Sequence, residues 1–199
     1  MRAIRALTAA ILFGLGLVLS GCANPNAGTA PTEEIAASRF ANPEPAFISL
    51  LTMVNTNTGF GEHAALLING SQQIIYDPAG SFRHTQLPRR DDVVYGVTPR
   101  YADYYNSYHA RFGYYVKVQR LEITREQADA MIAASIARGS VPKLWCATAI
   151  SDVLNDFPQF ADIRPTFFPG AIMKRVAKIE GIETREIHED DIGQNYRTD

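Results

Sequence analysis

Three short apolar runs within residues 46–76, separated only by turn residues, constrain the fold more than any other part of the chain. Residues 46–52 (A-F-I-S-L-L-T) and 63–68 (H-A-A-L-L-I) are apolar and partly β-branched. The N-T-N-T-G-F-G-E stretch between them is full of turn residues, so both runs read as strands. Asn69–Gly70 is a hairpin signal, and residues 73–76 (Q-I-I-Y) form a third strand that Asp77-Pro-Ala-Gly80 ends. Further on, Thr98 reads as an N-cap with Pro99 at the first helical position, and Tyr101, Tyr105, Tyr108 and Phe112 follow at helical spacing as a core stripe. Residues 114–123 alternate and predict a fourth strand.

Thr124-Arg-Glu-Gln127 is a capping box. The helix it opens carries Ala128, Met131, Ile132, Ser135 and Ile136 on one face and stops at Gly139. A helix over about residues 144–155 places Cys146, Ala149, Ile150, Val153 and Leu154 on its apolar stripe, with Pro142 just inside or just before its start. A helix near 171–179 and a strand near 183–187 complete the reading. Strands and helices come in blocks rather than in alternation. The expected class is therefore α+β, an antiparallel sheet packed against helices.

The first 22 residues have a different character. Arg2 and Arg5 precede an apolar stretch of 14 residues, 6–19, which falls short of the roughly 20 needed to span a bilayer. Leu19-Ser-Gly-Cys22 resembles the lipobox of bacterial lipoproteins. That resemblance implies cleavage before Cys22, diacylglycerol on its sulfur and an acyl chain such as palmitate on the new amino terminus. At about 0.8 kcal/mol per buried CH₂, two or three chains hold a protein on a membrane where one does not. Ala23 in place of Asp implies the outer membrane, facing the periplasm. The expected organisation is a signal peptide over 1–21, a lipidated flexible tether rich in Ala, Pro and Asn over 22–46, and one domain over 47–199.

Without Arg2 and Arg5 the chain has 17 basic against 21 acidic residues, a formal net charge of −4. The only basic cluster, Arg89–Arg90, reads as a solvated turn, so the membrane is an expected partner and nucleic acid is not. No cofactor is expected. There is no Cys-x-x-Cys or His-Glu-x-x-His pattern, and G-F-G at 59–61 leads into a strand rather than a helix.

With Cys22 committed to lipid, Cys146 has no intramolecular partner in an oxidising compartment. A thiol in the first turn of a helix meets partial positive charge and free N–H groups, which favour the thiolate and can hold an oxyanion. The same residue lies on the apolar stripe, and spacing weighs a buried inert thiol equally. A nucleophile needs a base. His63 opens a strand, whereas His84 lies in a loop, His109 at a helix end and His188 in the acidic H-E-D-D tail.

The order of G-E-H-A-A-L-L-I, I-I-Y-D-P-A-G and W-C-A-T-A-I-S-D-V-L resembles the circularly permuted NlpC-like cysteine hydrolases, papain-fold relatives that include the lecithin retinol acyltransferase group. In the unpermuted family the cysteine helix precedes the histidine strand; here the order is reversed. The resemblance spans about residues 48–187 and implies a circularly permuted papain-like fold, with Cys146 as nucleophile, His63 as base and a third polar residue on the next strand. Asp77 fills that third place if the hairpin loop has three residues, and Tyr76 takes it in a two-residue turn. The implied activity is thiol hydrolysis or acyl transfer at an amide or ester carbonyl, in cell-wall peptides or in lipid and acyl substrates. The alternative is an envelope lipoprotein that binds a partner or ligand in the same cleft without catalysis.

Overall fold

The computed structural model describes residues 28–189. The expected leader at 1–21, the lipid-accepting Cys22 and the end of the acidic tail lie outside the described residues. The strands are β1 (Phe47–Asn55), β2 (Gly61–Asn69), β3 (Gln73–Tyr76), β4 (Arg89–Arg90), β5 (Val93–Val94), β6 (Tyr114–Glu122) and β7 (Glu183–Ile187). The helices are α1 (Thr32–Ala37), α2 (Pro99–His109), α3 (Arg125–Arg138), α4 (Cys146–Asn155) and α5 (Pro169–Val176). Among the described residues seven strands form one sheet, ordered β4-β5-β3-β2-β1-β6-β7, with every neighbouring pair antiparallel. The α+β class read from the blocks of elements is the class found.

The central strands are apolar on both sides because both faces of the sheet are covered. Ile48, Leu50, Leu66, Ile68 and Ile74 meet Met131 of α3, Ile150 and Leu154 of α4 and Ile172 of α5. Phe47, Leu51, Leu67 and Ile75 meet Phe82 and, on α2, Ala102 and Tyr105. The alternation of one strand thus feeds two cores. Asn69 pairs with Gln73, so the hairpin loop has three residues. At the other end of β2, Met53 faces His63 while Val54 faces Gly61. Glu62 is the extra residue of this β-bulge, a device that re-aims the side chain beside it.

The capping box forms as read. Thr124 Oγ1 accepts from the Gln127 N–H at 3.2 Å, and Gln127 Oε1 accepts from the Thr124 N–H at 3.1 Å. Thr124→Ala is expected to lower stability by about 0.5–2 kcal/mol in urea unfolding. No measurable loss would show that the reciprocal cap contributes nothing.

Five expectations need correction. Residues 28–46 are not a free tether. Thr29 bridges Arg90, the Ala30 N–H donates to Arg89 O at 3.0 Å, and buried Asn42 donates from Nδ2 to Gln73 Oε1 at 2.8 Å. The segment lacks apolar periodicity because its polar groups, rather than a core stripe, hold it against β4 and β3. Arg89 is buried in β4 rather than solvated, for a reason given below. Phe112 is exposed because α2 ends at His109, before the aromatic stripe does. The helix expected from 144 starts at Cys146: Trp145 N–H closes a turn onto Pro142 O at 3.2 Å, and Leu144 has φ +72°. Ile136, read onto the buried face of α3, is half exposed. Among the described residues no helix is long and apolar enough to cross a membrane.

Candidate active site

Cys146 is the first residue of α4, and only 5% of its surface is exposed. The His63 ring and the backbone N–H groups of Ala64 and Ala147 favour its thiolate. His63 Nε2 lies 2.7 Å from Asp77 Oδ1. A carboxylate only accepts, so Nε2 carries the proton and Nδ1 is left for the thiol. With Leu66 opposite Tyr76, one further step puts Asp77 across from Ala65 and diagonal to His63, on the same face. The three residues singled out in the sequence therefore come together, and Tyr76 points to the other face, its hydroxyl donating to Gly139 O at 2.8 Å.

Burial opposes the charged forms of all three groups, and their contacts reverse that. For Cys146, burial raises the thiol pKa, but the His63 hydrogen bond and charge, with the N–H groups of Ala64 and Ala147, bring it below the ordinary value. For His63, burial disfavours the imidazolium, yet the hydrogen bonds and charges of Asp77 and Cys146 raise it to about 10. Burial would protonate Asp77, and His63, Arg89 and His109 hold it well below the usual carboxylate range. All three directions favour a thiolate–imidazolium pair with an ionised Asp77 behind it.

Asp77 is fully buried and saturated with donors. Besides His63, its Oδ1 accepts from the Tyr105 hydroxyl at 2.8 Å, and its Oδ2 accepts from Arg89 Nη1 at 2.7 Å. Arg89 Nη2 also donates to Asp77 O, Gly80 O and Asp92 Oδ1 at 2.9, 3.1 and 2.9 Å. Asp92 Oδ2 in turn accepts the N–H groups of Ala79 at 2.8 Å and Val141 at 3.2 Å, joining the Asp77 loop to the segment that leads into Cys146. Gly80 closes the loop. A Cβ there would stand 2.0–2.2 Å from the Asp77 carboxylate, so any larger residue displaces the acid.

Beside His63 a cleft of about 400 Å³ opens on the α2 side of the sheet, its walls including Glu62, Ser81, Tyr108, His109 and Arg111. His109 is a second ring at the site, 6.2 Å from His63 between centroids, with Nδ1 2.9 Å from Tyr105 O. Burial and the nearby imidazolium of His63, against the pull of Asp77, lower its pKa to about 4, so it is neutral at ordinary pH. His84 packs instead against Tyr101, and His188 stacks on Tyr115. Among the described residues no group of three or more His, Cys, Asp or Glu side chains is placed to hold a metal ion.

Arg89, Asp92 and Tyr105 are the parts that sequence reasoning missed, and His109, weighed there only as an alternative base, stands as a second ring beside His63. Tyr105 was visible as a core residue, and its hydroxyl is what makes it more than that. No family model matches the chain, and neither do curated proteins or solved structures.

Proposed function

We propose that this chain is a membrane-anchored periplasmic thiol hydrolase or acyltransferase acting on an amide or ester carbonyl, with Cys146 as nucleophile, His63 as base and Asp77 as the residue that orients the imidazole. The observation that carries this reading is the 2.7 Å contact between His63 and buried Asp77, with Cys146 at the start of a helix and its thiolate favoured by His63. The Cys146 thiolate attacks the carbonyl carbon and forms a tetrahedral oxyanion, which the free N–H groups of the first turn of α4 stabilise. His63 gives its proton to the departing nitrogen or oxygen, and the acyl group stays on sulfur as a thioester. Water, or a second acceptor, then attacks that thioester with His63 taking its proton, and the thiolate is restored.

The order of histidine strand, acid and cysteine helix, on an antiparallel sheet backed by helices, supports a circularly permuted NlpC-like, papain-type fold. The Leu19-Ser-Gly-Cys22 sequence supports lipidation at Cys22 and an outer-membrane address facing the periplasm, where cell-wall peptides and lipid esters are both within reach.

Alkylation tests the thiol directly. In the folded protein iodoacetamide is expected to modify Cys146 within minutes at about pH 6–7, well below the ordinary thiol pKa of about 8.5. Modification only on unfolding would mark Cys146 as a structural thiol and leave a binding protein in place of an enzyme.

A further inference from the structure

His63 lines the cleft and Cys146 does not. Cys146 opens α4, which packs on the sheet face of Ala64 and Leu66. The cleft is walled by the end of α2, on the opposite face, where Phe82 and Tyr105 pack. Any carbonyl attacked by Cys146 sits between sulfur and imidazole. The atom that departs must then face His63, because that ring supplies its proton. Whatever is attached to the departing atom continues past His63, and the space there is the cleft.

We propose that this cleft is the subsite of the leaving group, and that His109 selects leaving groups carrying an N–H or O–H donor. This rests on the thiol-hydrolase reading and adds the substrate class to it. The tautomer is fixed by geometry. Tyr105 O can only accept, so His109 Nδ1 is the protonated nitrogen and Nε2 keeps its lone pair, on a residue that lines the cleft. Packing of the ring among Tyr105, Tyr108 and Phe82, at centroid distances of 4.3, 4.9 and 6.2 Å, holds that lone pair in place. The neutral state set by burial keeps it an acceptor across ordinary pH. Glu62 and Arg111 give the rest of the wall charges of both signs, and the Arg111 guanidinium is 4.7 Å from the Tyr108 ring centre. Such walls suit a small polar amine, alcohol or thiol better than a hydrocarbon chain.

The test uses pairs of thioesters with one acyl group. In each pair the leaving thiols have the same shape, and one has an amide N–H where the other has an ester oxygen. Three spacer lengths between sulfur and amide cover the depth of the cleft. The wild-type protein should release the amide-bearing thiol about 3- to 10-fold faster, in kcat/KM, at the spacer that reaches His109. His109→Phe keeps the aromatic packing and should remove that preference. His109→Gln keeps a carbonyl acceptor and should restore part of it. Equal rates within every pair for the wild-type protein, or a preference that His109→Phe leaves intact, overturns the subsite while thiol release itself still upholds the enzyme. Absence of thiol release from every thioester by the wild-type protein overturns both.

Discussion

Cys146→Ser is expected to reduce acyl-enzyme formation from an activated thioester by about 10⁴-fold or more while leaving the fold in place. Serine replaces the thiol with little change of volume, but its hydroxyl is far harder to ionise, and an imidazole tuned to pair with a thiolate does not compensate. His63→Ala is expected to act differently. Without the ring, the thiol loses the hydrogen bond and charge that lower its pKa, and burial then pushes it up. Labelling should fall across about pH 6–9 and recover only above that range, as the buried thiol ionises unaided. In the wild-type protein the imidazolium persists until about pH 10, so leaving-group protonation should slow only above that value. Asp77→Asn should have a smaller effect, since an amide oxygen still accepts from Nε2 but no longer offsets the imidazolium charge. Mass spectrometry of the acylated protein reads all three variants. Equal labelling of Cys146→Ser and wild type would remove the catalytic assignment.

Which parts of this site could be read before the structure follows from what a sequence records. Hairpin strands, caps and helix stops are local, and the signals at Asn69–Gly70, Thr98–Pro99 and Thr124–Gln127 all mark real boundaries. His63, Asp77 and Cys146 were legible because each sits at the mouth of such an element, where a polar residue beside an apolar run stands out. Asp77 depended on a single count, the three residues of the hairpin loop, which fixes its face of β3. Arg89 was not legible. A pair of arginines among turn residues has the composition of a solvated loop, and only the fold brings the carboxylates of Asp77 and Asp92 onto it. β4 and β5, at two residues each, are too short for periodicity to reveal. Residues 28–46 were misjudged for a related reason, since their contacts are hydrogen bonds to backbone and to Gln73, which hydropathy does not report.

Arg89→Met should be the most destabilising single change at the site, by about 3–5 kcal/mol at pH 7. Asp77 and Asp92 are both fully buried, and the Arg89 guanidinium between them is nearly so. It makes short contacts to one oxygen of each acid, 2.7 and 2.9 Å, and caps three carbonyls, those of Asp77, Gly80 and Phe82. Methionine fills much of the same volume but removes the cation that bridges Asp92 and Asp77, leaving Asp77 to His63 and the Tyr105 hydroxyl. The half-exposed pairs Arg138–Asp152 and Arg120–Glu44 have similar distances, 3.0 and 3.1 Å, but in solvent such pairs contribute about 0–1 kcal/mol each. Arg89→Lys should fall between, because one ammonium cannot replace a fork that serves two carboxylates and three carbonyls. The sign of the pH dependence separates charge from packing. The Asp77 carboxyl is depressed in the folded protein, so its contribution is present above its unfolded pKa of about 3.9 and is lost as pH falls below that value. The deficit of Arg89→Met should therefore narrow in urea unfolding between pH 7 and about pH 3. The unfolded acid takes up a proton that the Arg89-held carboxylate of the wild-type protein resists, so the wild-type protein loses more stability than the variant. A deficit under about 1 kcal/mol at pH 7 would place this buried cluster with the surface pairs. A deficit of full size at both pH values would assign the loss to packing rather than to the charge that holds Asp77 behind His63.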